Sequence, residues 1–214
     1  MHDKVYSTIG EALINGRIMP GQGVSLRTLA AELGVSPMPV RDAVRRLVAE
    51  RALEINPANK RLSVPSLSRH RLEQLAQARG WIEPELAARA ARFADRPFIQ
   101  SLQELDETLD AAIHEGDVDG YMAANHAFHF AFYGRAQAEV LLAMAHGLWL
   151  QIGPFMRVVF GRVGTVGLSK DYHAEAIESL AAGDAEAVRR AMAADIAFGM
   201  EAMRAAAQET EATA

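Results

Sequence analysis

From Arg69 to Gln208 the only apolar periodicity is helical, and this bounds the fold more tightly than any other feature of the chain. Spacing and breakers predict helices over 69–94, 97–115, 118–134, 137–159, 170–182 and 184–208. The breaks are Asp95-Arg96-Pro97, Glu115-Gly116-Asp117, Gly134-Arg135 and Gly183-Asp184. The stretch Gly161 to Ser169 holds three glycines and predicts a longer loop. Short connections make successive helices antiparallel, so residues 70–208 are expected to form an all-α six-helix bundle. Residues 209–214 are small and polar and are expected to be a disordered tail.

The first 65 residues follow a different plan. Val5, Ile9 and Leu13 mark one face of a first helix, which Met19-Pro20-Gly21 ends. Ser25 can cap a second helix over Leu26 to Leu33. Gly34 suits the left-handed residue past its end. Ser36 caps a third helix that starts at Pro37, where the missing N–H costs nothing, and runs to about Glu50. Val40, Val44, Leu47 and Val48 form its apolar stripe. Leu53-Glu54-Ile55 and Leu62-Ser63-Val64 flank a Pro/Asn-rich turn and predict a β-hairpin. The domain reading is therefore a winged helix-turn-helix over 1–65, a linker over 66–69, and the helical domain over 70–208.

The charge is divided in the same way. Overall it is −5, yet residues 1–69 hold 10 Lys/Arg against 6 Asp/Glu, and residues 70–214 hold 12 against 21. A basic head on an acidic body predicts two jobs in two domains. With no cysteine in the chain, disulfides, thiolate metal sites and cysteine nucleophiles are excluded. No apolar run approaches the roughly 20 residues that span a bilayer. The N-terminal residues lack the apolar core of a cleavable leader. A cytoplasmic protein without a membrane partner is expected. Walker, GxGxxG and GxSxG motifs are absent.

In the head, helix, glycine turn and capped helix form the helix-turn-helix pattern, whose second helix enters the major groove by its N-terminal end. That end carries Ser36, Pro37, Met38 and Pro39, with Arg41 and Arg45 sharing a face four residues apart. A guanidinium can take both acceptors of a guanine edge. Ser36 and the first-turn N–H groups suit a phosphate. Lys60 and Arg61 sit at the hairpin tip, where a wing reaches backbone or minor groove. The other reading of the same arginines is a solvated helix face.

In the body, Asn125 and His129 lie one turn apart within Ala-Asn-His-Ala-Phe-His-Phe-Ala-Phe. His173 lies ten residues before Gly183, and Asp195 eleven after Asp184, so an antiparallel hairpin sets them at one height. If all four face inward they form an N/O set suited to a divalent transition metal, zinc first, with nickel or manganese as other candidates. Hydrogen-bonded core histidines are the competing reading, and the expected one for His126 and His146.

The words Ile18-Met19-Pro20-Gly21, Leu29-Ala-Ala-Glu-Leu-Gly-Val-Ser36 and Pro39-Val-Arg-Asp-Ala-Val-Arg-Arg-Leu47 resemble the winged helix-turn-helix of the GntR superfamily of bacterial transcription regulators. In that family, arginines matching Arg27 and Arg41 contact operator DNA. Two departures are Pro37, where many members carry an arginine, and the absence of a wing glycine near Asn59 and Lys60. The body, with Arg79-Gly-Trp-Ile-Glu-Pro84, Asn125-His-Ala-Phe-His129 and His173 to Asp184, resembles the FCD ligand-binding domain of the FadR-like branch. Many members bind a metal through Asp, His, His, His; the matching residues here are Asn125, His129, His173 and Asp195. The family reads small carboxylate metabolites beside the metal. Arg79 matches its first-helix arginine and is the candidate effector clamp, against a salt bridge to Glu83. Arg157 on the fourth bundle helix is the second candidate.

The resulting expectation is a non-enzymatic, ligand-responsive regulator: a homodimer on double-stranded operator DNA, responding to a small carboxylate effector. A helical-bundle metalloenzyme is one alternative, although no histidine has Glu three residues earlier and there is no HExxH. A constitutive dimeric DNA binder without effector is the other.

Overall fold

The computed structural model describes residues 2–163 and 171–212. The chain is mainly helical, with one small antiparallel sheet, as the periodicity predicts. It divides into two compact units: one holds the residues up to Leu67 together with Trp149–Val158, the other Ser68–Leu148 and the residues from Val159 onward.

The first unit contains α1 (His2–Ile14), α2 (Leu26–Glu32), α3 (Pro37–Ala49), β1 (Glu54–Ile55) and β2 (Leu62–Ser63). The Ser25 hydroxyl caps α2 by accepting from Thr28 N at 3.1 Å. Gly34 takes φ +63°, which lets the chain reverse into α3 without the Cβ clash of the left-handed region. Val5, Ile9 and Leu13 of α1 are buried with Leu29, Val40, Val44 and Leu47, so the stripes read from sequence meet in one core. Val48 is only half-buried. Glu54 pairs with Ser63 and Ile55 with Leu62. Val24 adds a pairing that the sequence did not suggest, exchanging two 2.8 Å hydrogen bonds with Leu62.

This unit is not contiguous in sequence. Trp149–Val158 comes from the middle of α7 (Glu139–Val163), a helix expected wholly within the bundle. The reason is a close backbone approach. A Cβ on Gly153 would stand 2.4 Å from the Ile14 carbonyl oxygen, so glycine lets this stretch lie against the end of α1. Trp149, Leu150 and Ile152 are fully buried beside it.

The second unit contains α4 (Arg69–Ala90, continued by a 3₁₀ turn, Ala91–Phe93), α5 (Arg96–Glu115), α6 (Val118–Arg135), α8 (Tyr172–Ala181), α9 (Ala185–Ala212) and the rest of α7. Ser68, Asp95, Asp117 and Asp171 cap α4, α5, α6 and α8 through their side chains. Helix α4 packs on α6 and α9, α5 on α6 and α8, and α8 on α9. Leu72, Leu86, Leu102, Phe128, Phe132, Leu180 and Met192 are buried in this core.

Three boundaries differ from expectation. Gly134 is helical, and the chain turns instead at Gln137, with φ +49°. The expected loop begins later, because α7 continues through Gly161 to Val163; its remainder, 164–170, lies outside the described residues. Helix α9 continues to Ala212, so the expected tail is helical as far as the described residues reach. Among the described residues no helix is long and apolar enough to cross a membrane.

Candidate metal centre and candidate DNA-reading helix

In the first unit, α3 begins with Ser36 in extended conformation and Pro37 in the first turn, and the Ser36 hydroxyl makes no capping hydrogen bond. Ser36, Arg41 and Arg45 are exposed, as is Arg27 on α2, and Met38 is 61% exposed. Arg45 Nη1 lies 3.8 Å from Asp42 Oδ1. Arg46, the next residue, is also exposed but is tied to its own unit. Its guanidinium lies 3.7 Å over the Tyr6 ring and donates to Glu50 at 3.2 Å, while the Tyr6 hydroxyl donates to Glu50 at 2.7 Å.

Two expected DNA contacts are placed differently from the rest: one is buried, the other exposed but bonded within the unit. Pro39 is buried in the head, because it falls on the same side of α3 as Val40 and Ala43. The Arg61 guanidinium donates to the Gly23 carbonyl through Nε, at 3.0 Å, and through Nη2, which ties the hairpin to the segment before α2. Lys60 is exposed at the hairpin tip and takes φ +57°, the conformation that a wing glycine would adopt freely.

In the second unit, His129 of α6, His173 of α8 and Asp195 of α9 converge, each offering a ligand atom within 4.8 Å of the others. His129 Nε2 lies 3.2 Å from Asp195 Oδ2, and His173 Nε2 lies 3.6 Å from Asp195 Oδ1. Both imidazoles are buried, and the Asp195 side chain, 23% exposed, forms the open side. Asn125 is buried one turn before His129 on the same helix face.

Each outer nitrogen lies beside an oxygen. The Tyr133 hydroxyl donates to Glu83 at 2.6 Å and lies 2.8 Å from His129 Nδ1. With the hydroxyl proton on Glu83, Tyr133 can accept from His129 Nδ1–H, and in that tautomer Nε2 is a ligand atom for a cation beside Asp195. His173 Nδ1 lies 3.4 Å from Asp106 Oδ1, an ion-pair distance at which Oδ1 has no formed hydrogen bond. Phe128 stacks on the His173 ring at 4.0 Å. Burial is the largest influence on His129 and lowers its pKa despite the Asp195 carboxylate. For His173 burial opposes protonation, but Asp106 and Asp195 outweigh it and the net shift is upward. Burial disfavours the Asp195 charge, yet the two histidines hold its pKa below the usual carboxylate range.

This arrangement fits a metal ion. Two Nε2 lone pairs and a carboxylate aimed at one another repel unless a cation or proton lies between them. His173 Nε2 is a buried nitrogen without a hydrogen bond. His129 is also braced through its far nitrogen, as metal-bound histidines are, and the Asp106 carboxylate stands 3.4 Å from that of His173.

Arg79 does not stand as an open clamp. It is buried, with Nε and Nη2 donating to Glu83 at 2.6 and 3.1 Å and Nη1 directed at the Met200 sulfur at 3.6 Å. Desolvation works against its charge, but Glu83 more than restores it. Arg157 groups with the first unit, where its aliphatic stem packs over Gly16. Sequence reasoning missed Asp106 and Tyr133. Asp106 had a legible signal: it interrupts the apolar stripe Leu102, Leu109 and Ala112 of α5 with a carboxylate.

Residues 1–59 match the bacterial regulatory proteins of the gntR family, and residues 74–198 match the FCD domain. The chain belongs to the GntR family, in its FCD-containing branch. This GntR/FCD regulator is 30% identical over 193 residues to the HTH-type transcriptional regulator McbR of Escherichia coli K12, covering 89% of the chain and 86% of McbR. It is 22% identical over 209 residues to the transcriptional repressor RspR of the same organism, covering 98% and 91%. The solved structure of E. coli McbR/YncC superposes with a TM-score of 0.89 at 27% identity, over 95% of this chain and 96% of that one. A GntR regulator from Rhodococcus sp. RHA1 shares the fold, with a TM-score of 0.75 at 20% identity over 96% and 98%. These are regulators rather than enzymes, and the metalloenzyme alternative falls.

Proposed function

We propose that this GntR/FCD regulator is a cytoplasmic homodimer that binds operator DNA through α3 and controls that binding through a metal-dependent effector site in the bundle. Arg41 and Arg45, with Arg27, Ser36 and Met38 around them, supply the exposed surface for a major groove, and Lys60 supplies the wing contact. A divalent transition metal, zinc first, is held by His129, His173 and Asp195, with Asn125 as the fourth donor. A small carboxylate effector binds from the Asp195 side and takes an open coordination position. The convergence of two buried Nε2 atoms on one carboxylate carries this reading.

Operator affinity then changes by the ratio of the effector's affinities for the two arrangements of the heads. The test is a thermal-shift screen of small carboxylates with and without EDTA. Metal at 100 times its Kd stabilises the folded chain by about 2.7 kcal/mol, and a carboxylate response that vanishes with EDTA is expected. Equal melting temperatures with zinc and with EDTA, in a chain that elemental analysis finds free of metal, would overturn it. Elemental analysis of His129→Ala with His173→Ala is the companion measurement, and stoichiometric metal in that double variant contradicts the ligand set.

A further inference from the structure

We propose that Asp106 is a positioning residue of this centre, holding the His173 ring so that Nε2 rather than Nδ1 meets the metal. The inference rests on the metal reading above and concerns a residue outside the ligand set. Asp106 lies on α5, a helix that supplies no ligand, and only 8% of it is exposed. Its Oδ1 makes no hydrogen bond and stands 3.4 Å from His173 Nδ1. A buried carboxylate oxygen without a hydrogen bond is costly, so its place on an apolar stripe calls for a compensating role.

The His173 ring shows what that role is. Phe128 stacks on it with planes 20° apart, and stacking alone does not distinguish the ring from its 180° flip. A flip about the second side-chain torsion exchanges nitrogen for carbon at both edges. Asp195 favours nitrogen on one edge, but its oxygens are shared with His129 and are directed at the metal. Asp106 acts on the other edge, where its unpartnered Oδ1 stands 3.4 Å from Nδ1. It also supplies charge. A divalent cation with Asp195 alone leaves a buried excess of one positive charge, which Asp106 neutralises, while Arg79 and Glu83 balance each other. His129 is braced differently, by the neutral hydroxyl of Tyr133.

The test measures Zn²⁺ affinity of the full chain by competition with a chromophoric chelator. Asp106→Ala weakens binding roughly 10–100-fold, and Asp106→Asn, which keeps an acceptor oxygen without the charge, falls between. Asp110→Asn is the control for a general acidic field: it is exposed, one turn on, and grouped with Asp106 and Asp171. It is expected to stay within about twofold of wild type, because only outer-shell partners in contact with a ligand carry the effect. Histidine ¹⁵N spectra of the zinc-loaded protein give a readout that loss of packing alone does not move: His173 bound through Nε2 in wild type, and a mixture of Nε2 and Nδ1 in Asp106→Ala. Should Asp106→Ala fail to fold, the Asp106→Asn affinity and spectrum decide. Wild-type zinc binding with unchanged affinity and pure Nε2 ligation in both Asp106 variants overturns the positioning role and leaves the centre standing. An equal loss in Asp110→Asn overturns it in favour of a diffuse field. A wild-type chain that binds no zinc overturns the metal reading and this inference with it.

Discussion

The Tyr133 hydroxyl stands 2.8 Å from His129 Nδ1, one helical turn away on α6, and its only proton goes to Glu83. That relationship joins the candidate ligand His129 to the buried Arg79–Glu83 pair in one hydrogen-bonded chain. Burial raises the Tyr133 pKa well above the usual phenol value, with Glu83 adding to the effect, so the hydroxyl remains a neutral donor. Tyr133→Phe leaves both His129 Nδ1–H and Glu83 without that partner. We expect a loss of about 1–3 kcal/mol in unfolding free energy, read from urea melts, and weaker zinc binding in the same variant. Unchanged stability contradicts a stabilising hydrogen-bonded chain through Tyr133.

The arginines of α3 separate by what they touch. Arg41→Ala is expected to weaken specific operator binding by about 1–3 kcal/mol, with little change in melting temperature. Arg46→Ala is expected to act the other way round, since its guanidinium packs on Tyr6 and bonds Glu50. Anisotropy titrations on DNA selected in vitro, run beside thermal melts, distinguish the two. The slope of log K against log salt becomes shallower by about 0.9 for each phosphate that a variant no longer neutralises.

Lys60 adopts a left-handed conformation at φ +57°, which costs a non-glycine residue roughly 1–2 kcal/mol. Lys60→Gly relieves that strain, partly offset by the greater freedom of glycine in the unfolded chain. The expected result is a small gain in stability, under about 1 kcal/mol, together with weaker DNA binding once the wing charge is removed. A destabilised Lys60→Gly variant shows that the lysine stem contributes packing that exceeds the strain.

Gly153 allows α7 to lie against the end of α1, and the atoms that an added Cβ meets are Ile14 backbone rather than a movable side chain. Gly153→Ala is therefore expected to destabilise the first unit by about 1–3 kcal/mol through overpacking, despite the better helix propensity of alanine. Hydrogen exchange on α1 amides reads the effect directly. Protection equal to wild type contradicts the close approach.

The helices, the Ser25 cap and the turn at Gly34 are legible without coordinates, because they depend on residues within four positions of one another. His129, His173 and Asp195 are legible too, because helical spacing and an antiparallel hairpin fix which residues share a height. Pro39 and Arg61 are not, since their roles depend on which face the head buries and on the Gly23 carbonyl 38 residues away. Arg79 stays between two readings at that level, since a salt bridge and a ligand clamp use the same spacing. What stands behind each ligand is settled by the packed chain alone. Asp106 reaches His173 from α5, Tyr133 links His129 to Glu83 of α4, and Trp149–Val158 of α7 joins the first unit. None of these pairings has a sequence period, because contacts between helices are chosen by packing, which local propensity does not encode.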